Sequence, residues 1–173
     1  MIVGKPFLAA DDINRKVGEL ADRISGDYQG KDLVAIGILK GAFMFFSDLV
    51  RLIRTPLTID FFLASSYLKC ETSGEVKIHY DVREDVEDKD VLLIDDIVDT
   101  GVTLNYLRER ILMRGPRSLR ICSFLDKTAR REVDVPIDYV GFKIPNEFVV
   151  GYGLDYDSKF RNLPYISVFK KTA

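Results

Sequence analysis

The composition of this 173-residue chain fits one domain with a sizeable core, because 47% of its residues are hydrophobic and 30% are charged. A formal charge of −2 argues against a protein that binds long nucleic acids by neutralising their phosphates. No apolar run is long enough to cross a bilayer, and the first residues lack the pattern of a secretory signal. We therefore expect a cytoplasmic protein that binds neither membrane nor nucleic acid.

Cysteine and histidine are too scarce for a disulfide framework or a zinc site. Cys70, Cys122 and His79 are scattered and do not form a metal-ligand pattern. A metal bound by this chain is expected to be Mg²⁺ held by oxygen ligands.

The first third of the chain alternates between helix and strand. Apolar residues at helical spacing, and then apolar runs separated by turn residues, predict a helix at 11–26, a strand at 33–39, a helix at 42–53 and a strand at 57–64. Asp11 or Asp12 is expected to cap the first helix. This order is a βαβ unit.

The next stretch is polar and then strongly charged. Residues 67–77 contain a Thr-Ser-Gly turn, and residues 76–80 can pair back as the second strand of a hairpin. Such an excursion is typical of a mobile lid. Residues 81–90 are predicted to be a solvated connection.

The most informative segment is IDDIVDTGVT at 94–103, which ends a strand and opens a helix. Residues 91–94 are predicted to be covered on both faces of a parallel sheet, and apolar residues at helical spacing follow from Leu104. The turn at 99–103 therefore offers a helix N-terminus, a glycine that permits close backbone approach and two threonine hydroxyls. These features favour a phosphate monoester.

Three carboxylates lie beside this turn, and like charges exclude them from binding the phosphate itself. The strand pleat would direct Asp95 and Asp96 to opposite sides, so one or both can accept from sugar hydroxyls or reach Mg²⁺ through water. Asp99 lies over the turn and can accept a proton from a substrate. The alternative is that these acids only cap the helix or carry solvated charge.

The remaining predicted strands lie near 119–125, 139–143 and 165–169. The whole pattern predicts an α/β fold with a doubly wound, mostly parallel sheet flanked by helices. The loop at 39–41 and Lys127 also follow strands, at the end of the sheet where such folds bind ligands.

Several motifs resemble those of the type I phosphoribosyltransferases. IDDIVDTGVT resembles their motif for phosphoribosyl pyrophosphate (PRPP). LKG at 39–41, SY at 66–67, DKT at 126–128 and FVVGYGLD at 148–155 resemble the bacterial hypoxanthine and hypoxanthine-guanine phosphoribosyltransferases. The resemblance covers nearly the whole chain. It implies a single domain of the type I phosphoribosyltransferase fold, with a β-hairpin lid at about 66–80 and a small hood formed by the N-terminal segment and about 145–173.

The activity implied by the resemblance is purine salvage. The enzyme would use Mg²⁺ and transfer the 5-phosphoribosyl group of PRPP to N9 of hypoxanthine or guanine, giving IMP or GMP and pyrophosphate. Asp99 would assist deprotonation of the base. The residues implied to bind the ribose and its phosphate are Asp95, Asp96, Asp99, Thr100, Gly101, Val102 and Thr103. The resemblance also implies a homodimer or homotetramer.

The other implied site residues come from four separate loops. Those for pyrophosphate are Leu39, Lys40, Gly41 and Arg161, with a Leu39–Lys40 peptide that can be cis. Those of the lid are Ser66 and Tyr67. For the base they are Lys127 as donor to the 6-oxo group, Phe148 as stacking partner and Val149 through its backbone. For the metal they are Asp155 together with Asp95 and Asp96.

One position departs from the family pattern, and three other interpretations stay open. Asp95 stands where purine salvage enzymes usually have glutamate, whose side chain is one methylene longer. Lys127 can only donate, so it matches a 6-oxopurine rather than adenine, but it does not exclude a xanthine enzyme. A PRPP-sensing regulator that binds nucleic acid would need a basic face. A receiver domain draws its acids from separate strands, unlike this chain.

Overall fold

The structure is built around a sheet of mostly parallel strands with helices on both faces. It is a computed structural model and describes residues 6–66 and 76–170. The helices and strands, in chain order, are α1 (Ala10–Asp27), β1 (Leu33–Leu39), α2 (Phe43–Leu52), β2 (Leu57–Ser66), β3 (Val76–Tyr80), β4 (Asp90–Val98), α3 (Val102–Leu112), β5 (Ser118–Asp126), a 3-10 turn (Thr128–Arg130), β6 (Tyr139–Lys143), β7 (Val149–Val150) and β8 (Ser167–Val168).

The strand order of the main sheet confirms the predicted doubly wound, mostly parallel fold. The order is β3-β2-β1-β4-β5-β6, and only β3, at one edge, runs antiparallel to its neighbour. β7 and β8 form a separate antiparallel pair, and a bridge between Leu8 and Ile166 joins the N-terminal segment to it. No helix within residues 6–66 and 76–170 is long and apolar enough to span a membrane.

Both faces of the sheet are buried because successive apolar residues of each strand point to opposite sides. Leu33 and Ala35 of β1 pack with α1 and α2, whereas Val34 and Ile36 pack with α3. β4 repeats this alternation. The strands are therefore continuous apolar runs rather than amphipathic ones.

Two predicted boundaries are wrong for identifiable reasons. α1 begins at Ala10 and its N-cap, Ala9, makes no side-chain cap, so Asp11 and Asp12 lie in the first turn, where their charge favours the positive end of the helix. The strand predicted at 165–169 shortens to β8, because only its two residues pair with β7.

The central strand β4 is longer than predicted and runs through two carboxylates. Its backbone pairs with β5 from Asp90 to Val98, with Asp95 opposite Ser123. Backbone pairing continues although the side chains become polar, so Asp95 and Asp96 belong to the strand rather than to the turn after it.

The two strands of the hairpin that was expected to carry the lid are present and pair with each other. Residues 63–66 of β2 pair with β3, which extends to Tyr80. Tyr67 and the tip of the predicted lid lie outside the described residues. The role of Ser66 and Tyr67 in closing over a substrate stays a prediction.

The charged connection at 81–90 is anchored to the fold, contrary to the expectation of a solvated loop. The buried Asp60 of β2 accepts hydrogen bonds from the backbone N–H groups of Arg83 (2.6 Å) and Glu84 (2.8 Å). From the turn after α3, Arg114 donates to the carbonyl of Val82 (2.9 Å). Asp60 therefore supplies the acceptor for two backbone donors of this connection.

We expect Asp60→Ala to lower the free energy of unfolding by about 1–3 kcal/mol, because the N–H groups of Arg83 and Glu84 lose their acceptor. Urea denaturation measures this change. The matched control is Asp85→Ala, since Asp85 accepts one N–H bond from Glu87 at an exposed position. Its effect should stay within about 0.5 kcal/mol. Equal effects of the two substitutions would contradict this account.

Candidate active site

The candidate site lies where β1, β4 and β5 end side by side. These strands are parallel neighbours, and Val98 of β4 pairs with Asp126 of β5. Their following loops, at 39–41, 99–103 and 126–128, therefore meet at the same edge of the sheet. The three strand-end motifs identified in the sequence are brought together there.

The loop at 99–103 has the geometry of an anion cradle. Gly101 has a φ of +86° and is the N-cap of α3, and a β-carbon there would overlap the carbonyl of Val133. Thr100 Oγ1 accepts from Val102 N–H at 3.4 Å. The first N–H groups of α3 have no acceptor within the helix, so they and the Thr100 and Thr103 hydroxyls are suited to bind a phosphate.

The loop at 39–41 lies against the carboxylate of Asp96. The Leu39–Lys40 peptide bond is cis, the form that the family resemblance gave as possible. A β-carbon on Gly41 would overlap the Asp96 carboxylate, and one on Gly153 would overlap the carbonyl of Gly41. The loop after β1, the end of β4 and the loop after β7 are thus in direct contact.

Asp95 and Asp96 carry unfavourable negative charge at the end of β4. Burial raises the pKa of both carboxyl groups, and the charge of Asp96 raises the pKa of Asp95 further. Asp95 Oδ1 also accepts from the N–H of Asp96 at 3.0 Å. The charges of the two carboxyl groups therefore interact, and the roles of Asp95 and Asp96 in binding a sugar or a metal stay predictions.

Asp155 and Arg161 form an ion pair above this acidic pair. Asp155 Oδ1 lies 2.7 Å from Arg161 Nη2, and Arg161 Nη1 donates to the carbonyl of Gly153 at 2.7 Å. The positive charge of Arg161 also acts on Asp96, although burial outweighs it and keeps the pKa of Asp96 raised.

The predicted metal ligands do not converge into an all-protein cage. Among the described residues, no cluster of three or more carboxylate, histidine or cysteine side chains could hold a metal ion. Asp95 and Asp96 nevertheless form an oxygen-rich, half-buried pair whose repulsion a cation would relieve. This donor set fits a Mg²⁺ that takes few protein ligands and completes its shell with water and substrate oxygens.

Lys127 and Asp99 define the other half of the site, beside β5. Lys127 is only 6% exposed and its side chain has no hydrogen-bond partner among the described residues. Burial lowers the pKa of its ammonium, an effect that the nearby Asp99 charge opposes. Asp99 Oδ2 accepts from Arg130 at 2.9 Å, whereas Oδ1 is buried without a partner. A lysine donor and an unpaired carboxylate oxygen thus lie close enough for their charges to interact.

The aromatic residue directly before β7 is exposed rather than part of the core. Phe148 is 51% exposed and has edge contacts with Tyr156 and Phe169, whose rings stack at 4.3 Å. Val149, by contrast, is buried in β7. The ring of Phe148 is therefore free to stack on a planar ligand. The roles of Phe148 and Val149 in base binding stay predictions.

Arg130, Arg131 and Asp126 surround the loop at 99–103 and were not predicted as site residues from the sequence. Arg131 forms an ion pair with Asp126 and donates to the carbonyl of Asp99 at 3.3 Å. The N–H groups of Glu132 and Val133 donate to the carbonyl of Thr100 at 2.9 and 3.0 Å. The available signal was the pair of consecutive arginines three residues after Lys127.

The fold and this edge of the sheet define a nucleotide-handling α/β protein, and comparison with known proteins identifies its family. Residues 6–157 match the family model for the phosphoribosyl transferase domain. A hypoxanthine-guanine phosphoribosyltransferase of Staphylococcus aureus is 51% identical over 165 residues, covering 95% of this chain and 92% of the relative. The hypoxanthine phosphoribosyltransferase of Salmonella typhimurium is 48% identical over 158 residues, covering 90% and 89%.

A solved structure agrees with these sequence matches. The crystal structure of a hypoxanthine phosphoribosyltransferase from Staphylococcus aureus superimposes with a TM-score of 0.93 at 48% identity, over 97% of this chain and 92% of the other. This chain therefore belongs to the phosphoribosyl transferase family, in the group of hypoxanthine and hypoxanthine-guanine phosphoribosyltransferases.

We expect Gly41→Ala to lower phosphoribosyltransferase activity about 100-fold, because the new β-carbon displaces the Asp96 carboxylate at the centre of the site. Steady-state kinetics with circular dichroism of the variant measure this effect. The control is Gly18→Ala in α1, where a β-carbon meets nothing within 4 Å. That variant should remain active and gain about 0.5–1 kcal/mol of stability. An active Gly41→Ala enzyme would contradict the close contact.

Proposed function

We propose that this protein transfers the 5-phosphoribosyl group of PRPP to N9 of hypoxanthine, guanine or both, releasing pyrophosphate. The observation that carries the proposal is Lys127, which is 6% exposed and whose charge interacts with Asp99, together with the unpaired Asp99 Oδ1 at the start of the cradle at 99–103. A purine nucleotide with a 6-oxo group offers complementary atoms to all three. The names of the relatives support the same substrates.

The 5′-phosphate would bind at the start of α3, and the ribose would lie over the end of β4. N–H groups of residues 101–103 and the hydroxyls of Thr100 and Thr103 would donate to the phosphate oxygens. Asp95 and Asp96 would accept from the 2′- and 3′-hydroxyls, which a carboxylate binds well as an acceptor-only group.

The base would lie between Phe148 and the end of β4, with its 6-oxo group toward Lys127. A lysine ammonium donates only, so it would stabilise a carbonyl oxygen and leave the amino group of adenine unpaired. Burial strengthens this preference, because an unmatched polar group in a desolvated site is costly. The backbone of Val149 would read the remaining ring edge.

The leaving pyrophosphate would bind between the loop at 39–41 and Arg161. Lys40 is exposed beside the cis peptide, and the Arg161 guanidinium can bind two oxygens of a phosphate. Asp155, with Asp95 and Asp96, would hold Mg²⁺ through oxygen ligands. When bound, Mg²⁺ supplies positive charge that offsets the charge of the pyrophosphate.

The proton would leave the base through Asp99. As the bond between C1′ and pyrophosphate breaks, N9 forms the new bond to C1′ and the base loses a proton, which Asp99 Oδ1 would accept at N7. Ser66 and Tyr67 would belong to a lid that keeps water from the sugar cation. We further propose a homodimer or homotetramer, with a hood over the site formed by the N-terminal segment and about 145–173, and a cytoplasmic location.

The direct test is turnover with a panel of bases. The purified protein is incubated with PRPP, Mg²⁺ and, separately, hypoxanthine, guanine, xanthine, adenine, uracil and orotate, and the nucleotide and pyrophosphate formed are measured. We expect turnover with hypoxanthine or guanine and none with adenine or the pyrimidines. Preference for xanthine would redirect the substrate assignment, and PRPP binding without turnover on any base would favour a PRPP-sensing regulator.

We expect Asp99→Asn to lower kcat by about 10²- to 10⁴-fold, because the proton acceptor is lost, and to leave the dissociation constant of PRPP nearly unchanged. Single-turnover kinetics and equilibrium binding separate these two quantities. Asp134→Asn, at an exposed carboxylate in the loop after β5, is the control. Near wild-type turnover of Asp99→Asn would discard the proton-acceptor role.

We expect Lys127→Ala to lower kcat/KM for 6-oxopurines by about 10- to 100-fold, the effect of losing one charge-assisted hydrogen bond. PRPP affinity should change much less. Lys143→Ala, which removes an exposed lysine at the end of β6, is the matched control. The assignment would be wrong if PRPP binding collapsed while the preference among bases stayed the same.

A further inference from the structure

Two consecutive arginines contact Asp99 at different atoms: Arg130, the last residue of the 3-10 turn, and Arg131, directly after it. Arg130 Nη1 donates to the side-chain Oδ2 at 2.9 Å. Arg131 Nε donates to the main-chain carbonyl at 3.3 Å. One residue of the β4 loop is thus restrained at its backbone and at its carboxylate by consecutive residues of the β5 loop.

The contact with Arg130 makes the two carboxylate oxygens of Asp99 unequal. Oδ2 is occupied by the guanidinium, while Oδ1 is buried and has no hydrogen-bond partner. A charge-assisted bond to one oxygen fixes the rotation of the carboxylate and therefore the direction of the other oxygen. The second cation nearby, Lys127, makes no hydrogen bond to Asp99 and remains available to a ligand.

The contact between Arg131 and Asp99 is one of several bonds that join two loops of the site. Arg131 is also paired with the buried Asp126 at the end of β5, and the next two N–H groups bind the carbonyl of Thr100. These bonds join the loop that carries Lys127 to the loop that carries Asp99. Arg131 therefore helps to hold the two loops together, whereas the side chain of Arg130 has Asp99 as its one hydrogen-bond partner within residues 6–66 and 76–170.

We propose that Arg130 is a positioning residue for proton transfer, which aims Asp99 Oδ1 at the base by binding Oδ2. This inference rests on the proposed function and adds a residue to it. The Arg130–Asp99 pair is half exposed, with side-chain accessibilities of 46% and 34%, so it contributes little to stability. Its removal should be detected in kcat rather than in folding.

The test compares Arg130→Ala, Arg130→Lys, Asp99→Asn and the double variant Arg130→Ala/Asp99→Asn with hypoxanthine and PRPP as substrates. We expect Arg130→Ala to lower kcat about 10- to 100-fold with little change in either KM, because a misaimed acceptor slows the chemical step. Lysine should restore part of the rate. The double variant should be no slower than Asp99→Asn, within about twofold, since Arg130 acts only through Asp99.

A control variant and two contrary outcomes distinguish a positioning role of Arg130 from other roles of this residue. Arg54→Ala removes an equally simple surface ion pair, with Asp22, far from the site. It should leave kcat unchanged, and both alanine variants should shift the unfolding temperature by less than about 4 °C. A raised KM for PRPP in Arg130→Ala would mean that Arg130 binds substrate directly, and additive losses in the double variant would mean that it acts independently of Asp99.

Failure of the inference is distinguishable from failure of the proposed function. If the unaltered protein turns over hypoxanthine and Arg130→Ala is equally fast, the positioning role is wrong and the function stands. If the unaltered protein turns over none of the bases, the proposed function is wrong and the positioning role falls with it.

Discussion

The parallel pairing of β1, β4 and β5 is the constraint on which the site depends. Each strand is buried on both faces, so its register is fixed by packing against α1 and α2 on one side and α3 on the other. Parallel neighbours must end at the same edge, which places three loops distant in sequence within contact. Packing in the core stabilises the fold, and the polar loops at 39–41, 99–103 and 126–128 therefore need to bury little apolar surface themselves.

Those loops bring charged side chains close together at the edge of the sheet, which destabilises the protein unless a ligand binds there. Burial and mutual repulsion raise the pKa of Asp95, and burial lowers the pKa of Lys127. Both shifts reflect charged groups that would be better stabilised by a ligand than by the protein alone. Perturbed groups of both signs in one pocket are typical of functional sites. A cation beside the two carboxylates and a carbonyl oxygen beside Lys127 would supply what each of these groups lacks.

The pattern of residues along the chain was sufficient to predict a strand where one local physical effect determines it. The strands at 33–39 and 139–143 are found at their predicted bounds, because each is a run of strand-forming residues closed by turn residues or charge. The extension of β4 through Asp95, and the anchoring of the 81–90 connection by Asp60, depend on partners far away in the sequence. Arg130 and Arg131 were missed for the same reason, since only the fold brings them to Asp99.

The central claim is that one ligand spans the cradle at 99–103 and the buried ammonium of Lys127. A crystal structure of the protein with inosine 5′-monophosphate tests it most directly. The account predicts the phosphate at the N-terminus of α3 and the 6-oxo oxygen about 3 Å from Lys127 Nζ, with Phe148 against the base. A phosphate bound elsewhere, or a base whose 6-oxo group faces away from Lys127, would contradict it.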